Sequence, residues 1–234
     1  MKVILTTGGV VAAALAAASG WGHMRTTLQP TAGGNISELA TPMAIARYAH
    51  TASTLRDGTV LIAGGFAEAG SERGAELFDP DRERFVRLPP MLHTRFSHTA
   101  TLLEDGRVLL AGGYGPGSTT LSAAEIFDPA TRTFMTAGSM SVPRSDHVAV
   151  RLNDGRVLIM GGLGPNWTFL ASAEIYDPAT GTFTPTGNMS VPRESHVGVL
   201  LNDGTVLVVG GHKGRRSDMV IHTSAEVYDP ARGI

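Results

Sequence analysis

The chain has 234 residues, of which 42% are hydrophobic and 17% charged, and its 19 basic and 21 acidic side chains leave a formal charge of −2. That balance supplies no field for nucleic acid or acidic lipid, and the lack of cysteine excludes disulfides, zinc–thiolate sites and thiol nucleophiles. Glycine stands at 29 residues against an ordinary share of about 7%, with 13 prolines and few aromatics, a mixture that calls for short strands and tight turns.

In chain order, Met1-Lys2 precedes an apolar run from Val3 to Ala18 that ends in three alanines. A basic start, a short apolar stretch and a small-residue end form a secretory signal over 1–18, and imply a secreted or periplasmic protein. The run is short of the roughly 20 apolar residues of a membrane span, so no span is expected in the mature chain. The alternative makes Val3–Gly9 a degenerate copy of a strand motif that recurs downstream. Residues 19–42 then form an N-terminal segment with an outer strand expected at 36–40. Asn35, Asn166 and Asn188 open Asn-x-Ser/Thr triplets, which matter only in a eukaryotic secretory pathway.

From residue 43 the chain repeats. Arg-x-x-His occurs at Arg47/His50, Arg95/His98, Arg144/His147 and Arg193/His196, with histidine spacings of 48, 49 and 49. Met43, Met91, Met140 and Met189 each stand four residues before the arginine, and Asp-Gly follows seven residues after each histidine, at Asp57, Asp105, Asp154 and Asp203. An apolar run then ends in Gly-Gly at 64–65, 112–113, 161–162 and 210–211, followed by Ala-Glu-x-Tyr/Phe-Asp-Pro from Ala75, Ala124, Ala173 and Ala225. Phe85, Phe134 and Phe183 close the first three copies.

Each copy reads as four strands. Strand a starts at the histidine, and Asp-Gly is expected to turn it through a two-residue hairpin. Strand b is apolar without alternation, so both of its faces are buried. Strand c carries Ala-Glu-x-Tyr/Phe-Asp, and Asp-Pro turns it into strand d. Sheets stacked face to face about an axis satisfy such strands, since one unit cannot bury its own faces.

The pattern Met-x-x-x-Arg, His, Asp-Gly-x-Val-Leu, Gly-Gly, Ala-Glu-x-Tyr-Asp-Pro and Phe resembles the kelch repeat, in its bacterial form, and is similar to the propeller of the galactose oxidase family. The resemblance covers residues 43–234 and implies an all-β propeller of four-stranded antiparallel blades, near 43–90, 91–139, 140–188 and 189–234. Phenylalanine stands where the family often has tryptophan after Asp-Pro. A galactose-oxidase-like copper-radical site is excluded in this segment, because that family's cofactor joins a tyrosine to a cysteine. The resemblance to sugar epimerases of similar fold singles out no catalytic arginine or glutamate. No cofactor, metal or catalytic residue is therefore assigned.

Alternating strand direction places the a–b and c–d turns on one face and the b–c loops and d–a crossings on the other. The first face is uniform. On the second, the b–c loops diverge: Phe66–Arg73, Tyr114–Thr120, Leu163–Phe169 and the longer His212–His222. A rigid scaffold with variable loops on one face is a binding arrangement. Candidate binding residues are Tyr48, Phe66, Tyr114, Trp167, Phe169, His212, Lys213, Arg215 and Arg216, with a hydrophobic plug between loops as the alternative for the aromatics. The repeated Arg–Glu pairs are read as structural. The histidines, which open the inner strands, are expected to satisfy local backbone groups rather than to bind a metal.

The expected function is an exported scaffold for a protein or glycan; the alternative is the propeller part of a carbohydrate-active enzyme. At about 49 residues per blade, six blades take about 294 residues and seven about 343. Two readings stay open: a four-bladed ring closed by 36–40, or part of a larger propeller.

Overall fold

Strand b is the element on which each sheet depends. In the second repeat Val108–Ala111 is buried on both sides: Val108 and Leu110 face Leu61, Ala63 and Leu77 of the first repeat, while Leu109 and Ala111 face Val157, Ile159 and Tyr176 of the third. Each fully buried leucine or isoleucine is worth about 1.5–3 kcal/mol of transfer free energy, realised only when the next sheet is in place. The computed structural model describes residues 41–234; the leader read at 1–18, Asn35 and the strand expected at 36–40 lie outside the described residues.

Four antiparallel blade sheets result, three in the order a-b-c-d and the fourth a-b-c among the described residues. Blade one comprises Thr51–Thr54, Val60–Ala63, Ala75–Asp79 and Arg84–Arg87. Blade two comprises Thr99–Leu102, Val108–Ala111, Ala123–Asp128 and Thr133–Ser139, and blade three Val148–Arg151, Val157–Met160, Ala173–Asp177 and Thr182–Thr186. Blade four has three strands among the described residues, Val197–Leu200, Val206–Val209 and Ala225–Tyr228. These are blades of a kelch-type propeller. No helix among the described residues is long and apolar enough to cross a membrane.

The phenylalanine after Asp-Pro packs on the strand-c aromatic of its own blade, with ring centroids 4.9 Å apart for Phe78–Phe85, 5.0 Å for Phe127–Phe134 and 4.8 Å for Tyr176–Phe183. In blade four the Tyr228 hydroxyl pairs instead with Thr186 Oγ1 of blade three, at 2.6 Å. The Asp-Gly turns correct the two-residue expectation. Leu55 N–H donates to the Thr59 carbonyl, so the loop has three residues, Arg56-Asp57-Gly58, with the glycine left-handed at φ +84° and Asp57 Oδ1 accepting from Thr59 N–H.

The arginines and glutamates bind each repeat to itself. Arg144 Nη1 donates to the carbonyls of Gly161 (3.0 Å) and Ser172 (2.9 Å), and Nη2 to Glu174 Oε1 (3.0 Å). Glu174 also accepts the backbone N–H groups of Ser141 and Val142, so the buried carboxylate is partnered on both oxygens, while Arg144 is held through Nη1 and Nη2 and its Nε is buried without a partner. The same Arg–Glu pair closes at 2.9 Å in blade one, and at 2.7 Å in blades two and four. The arginine backbone links blades: the Arg193 carbonyl accepts from Gly162 N–H at 2.9 Å, and the Arg95 and Arg144 carbonyls accept from Gly65 and Gly113.

Two of the four repeat histidines, His98 and His147, bridge blades through side chains rather than satisfying local backbone groups. His98 Nε2 shares a hydrogen bond with Thr51 Oγ1 of blade one, and His147 Nε2 with Thr99 Oγ1 of blade two, both at 3.0 Å. The equivalent partner of His196 is Val148, which has no hydroxyl, and both ring nitrogens of His196 are buried without a hydrogen-bond partner. Burial, and then the neighbouring arginine, hold His98 and His147 far below the ordinary imidazole pKa; the same causes lower His196 to about 4.

The inner strands pack in succession from blade one to blade four. The far side of blade four is open: Val199 and Val227 are 47% and 58% exposed, whereas Val150 and Ile175 at the same positions of blade three are 9% and 5%. Among the described residues, then, the blades form an arc rather than the four-bladed ring considered from length.

Candidate functional site

The b–c loops and d–a crossings meet as anticipated. Backbone bridges join Tyr48 to Phe66, Phe96 to Tyr114, Ser145 to Leu163 and Glu194 to His212, one per blade. Beside each bridge runs a rim residue with left-handed backbone (Ala49, Ser97, Asp146 and Ser195), and the N–H groups of the last three donate in turn to the carbonyl one blade back. The rim is therefore a continuous backbone ladder around the axis, and the side chains at its bridged positions are free to vary.

Four of the nine candidate residues form one aromatic band. Tyr48 packs on Phe66 (centroids 5.5 Å), Phe66 on Phe96 (5.1 Å), Phe96 on Tyr114 (5.0 Å) and Tyr114 on Trp167 (5.9 Å), crossing three blades. The band is a plug in the middle and a surface at its ends: Tyr114 is buried, whereas Tyr48 and Trp167 are 51% and 54% exposed. Trp167 follows the Pro165 turn with φ +60°, a backbone region unfavourable for a bulky L-residue. Its indole is held out of the core at the expense of local strain, a pattern associated with functional positions.

The remaining candidates gather at the other end. Phe169 lies edge-on to His212 at 6.2 Å, and the Arg215 guanidinium lies over the Trp167 ring at 4.4 Å and 5.9 Å from Phe169. Lys213 and Arg216 are exposed and make no ion pair among the described residues, so the site does not include them.

Two acids at the centre of this group were missed by the sequence reading. His212 Nε2 lies 3.0 Å and Arg215 Nη2 3.8 Å from Glu194 Oε1, while the Glu194 side chain is only 7% exposed. Burial first, and then the Asp146 carboxylate, push the Glu194 pKa up to about 7, against the pull of Arg215. Asp146 is raised by burial, opposed by Ser97, Ser145, Tyr114 and Arg215. Burial likewise raises the Tyr114 phenol. The available signal was the rim column Ala49, Ser97, Asp146, Ser195, in which one member is acidic.

A separate depression of about 340 Å³ lies on the same face between blades one and two, lined by Arg73, Leu92, His93, Thr94, Pro116 and Leu121. No group of three or more His, Asp or Glu among the described residues could hold a metal ion.

Residues 143–190, which span the third repeat, match the family model of the Kelch motif. No curated protein matches the chain. Blades one, two and four carry the same Arg–Glu pair and the same glycine pair as the matched repeat, so the pattern of the Kelch motif found at 143–190 recurs in all four.

Proposed function

We propose that this protein is a binding scaffold that holds a protein ligand on its b–c loop face, in an exported setting that the leader-like residues 1–18 support. The observation that carries the reading is the aromatic band with its exposed ends, Tyr48 and Trp167, on the one face where the repeats diverge. Tyrosine and tryptophan are the residues most enriched among interface hot spots, and the kelch scaffold beneath them is fixed by buried pairs that need no ligand. The Asp-Gly face offers no comparable surface, because its turns are short, alike and self-satisfied.

A peptide-display selection on the purified protein tests this, with a glycan array run in parallel. Selected peptides are expected to lose about 30-fold in affinity to a Tyr48→Ala/Trp167→Ala variant, the loss of a single strong hot spot. Binders indifferent to both substitutions, or glycans captured in place of peptides, would overturn the reading.

A further inference from the structure

The aromatic–acid corner of the b–c face is already occupied by a cation that belongs to the chain. Arg215 sits on the fourth b–c loop, the one three residues longer than its counterparts by the Asp-Pro spacing. Its guanidinium is stacked over Trp167 at 4.4 Å, approaches Phe169 at 5.9 Å and stands 3.8 Å from Glu194 Oε1. Asp146 feels the same charge. Thus one side chain meets an indole face, a second ring and the Glu194 carboxyl, with the Asp146 carboxyl near enough to feel its charge, and each of these favours a planar cation.

The contact is nevertheless incomplete. At 3.8 Å the Arg215–Glu194 approach is an ion pair without a hydrogen bond, and the Arg215 side chain is 49% exposed. The floor is built more tightly than this occupant requires. Ser145 is fully buried beside the Asp146 carboxyl and the Tyr114 phenol, and its hydroxyl opposes the burial that raises both.

We propose that Trp167, Phe169, Glu194 and Asp146 form a recognition site for a guanidinium or ammonium side chain of the ligand, and that Arg215 is a built-in competitor that occupies the site until such a side chain displaces it. The inference rests on the b–c face being the ligand surface, and it names the chemistry of the residue that anchors there. Arg215 can leave easily: it sits on an exposed loop, and a cation–π contact at a half-exposed position is weak. An entering arginine with its own backbone held by a partner can stack on Trp167 and pair with Glu194 at closer range than the 3.8 Å of Arg215. Occupancy by Arg215 lowers apparent affinity by the fraction of molecules in which the site is free.

The test uses the full chain in a Trp21→Phe background, so that Trp167 is the fluorescent reporter, titrated with acetyl-Gly-Arg-Gly-amide and with the same peptide carrying citrulline. Arg215→Ala is expected to tighten the arginine peptide about tenfold over the parent, the equivalent of a cation–π and ion-pair competitor removed. Adding Glu194→Gln to Arg215→Ala is expected to remove that gain, and citrulline, isosteric but uncharged, is expected not to bind. An unchanged or weaker arginine affinity in Arg215→Ala, or equal binding of citrulline, overturns the proposal. Circular dichroism of each variant separates these outcomes from unfolding. Display-selected peptides that need Tyr48 and Trp167 but carry no cationic residue would refute this inference while leaving the scaffold reading intact.

Discussion

Gly161 and Gly210 occupy the same position of consecutive blades, the first glycine after strand b, and both are left-handed, at φ +65° and +71°. An alanine in that backbone region is strained by about 1–2 kcal/mol, and this part is common to both. Their surroundings differ. A Cβ on Gly161 would stand 2.6 Å from His196 Cε1 and 2.8 Å from the Arg193 carbonyl oxygen, both supplied by blade four, whereas one on Gly210 would meet nothing within 4 Å. The Arg193 carbonyl cannot retreat freely, since it accepts the Gly162 N–H at 2.9 Å. Overpacking of this kind adds about 1–3 kcal/mol. Gly161→Ala is therefore expected to destabilise by about 2–5 kcal/mol and Gly210→Ala by about 1–2 kcal/mol. Urea unfolding followed by circular dichroism reads the difference, and amide exchange in strand b of blades three and four reports whether the loss is local, as repeat stacking allows. Equal losses from the two substitutions would refute the reasoning, because they would mean that the far side of blade four is covered like the others.

Other substitutions test single contacts. Val148→Thr is expected to supply His196 with the hydroxyl that His98 and His147 already have, stabilising the fold by about 1 kcal/mol in the same urea assay; a loss would show that the Val148 methyl contacts outweigh the bond. The buried histidines set an acid limit. Their folded pKa values lie below the ordinary imidazole value of 6.5, so the unfolded chain takes up protons that the folded one refuses. Stability is accordingly expected to hold above about pH 6.5 and to fall below it, with His196 alone worth on the order of 3 kcal/mol by pH 4. Glu194 runs the other way: its raised pKa makes it destabilising as pH climbs to about 7, so Glu194→Gln is expected to steepen the acid loss in urea titrations between pH 6.5 and 4.5. Trp167→Gly removes the Arg215 contact but also the left-handed strain, and is expected to leave stability within about 1 kcal/mol of the parent while weakening ligand binding by no more than about 30-fold, the loss expected of the Tyr48→Ala/Trp167→Ala variant.

The blades were legible in the sequence because their contacts recur. The arginines keep register since each donates to the carbonyl of the first paired glycine in every copy, and strand b reads as doubly buried since in the inner blades both faces meet a neighbour. The face proposed for binding was legible as the place where loops diverge and turns do not. What escaped depends on single-copy residues and on paths through space. Asp146 and Glu194 stood in variable columns of the repeat, and nothing in their spacing brings them to Arg215; the route of the longer fourth loop does so. The histidine–threonine bond joins residues 47 or 48 positions apart, which made a local backbone partner the simpler expectation. The a–b turn gained its third residue from the Leu55–Thr59 pair, a distinction that Asp-Gly alone does not encode.

The central claim is that ligand is held on the face of variable loops, and a hydrogen-exchange footprint of a display-selected binder tests it most directly. Protection is predicted over residues 66–73, 114–120, 163–169 and 212–222, with the turns at Asp57, Asp105, Asp154 and Asp203 unchanged. Protection of those turns, or of the open valine face of blade four at Val197, Val199, Val209 and Val227, with the variable loops unaffected, would contradict it.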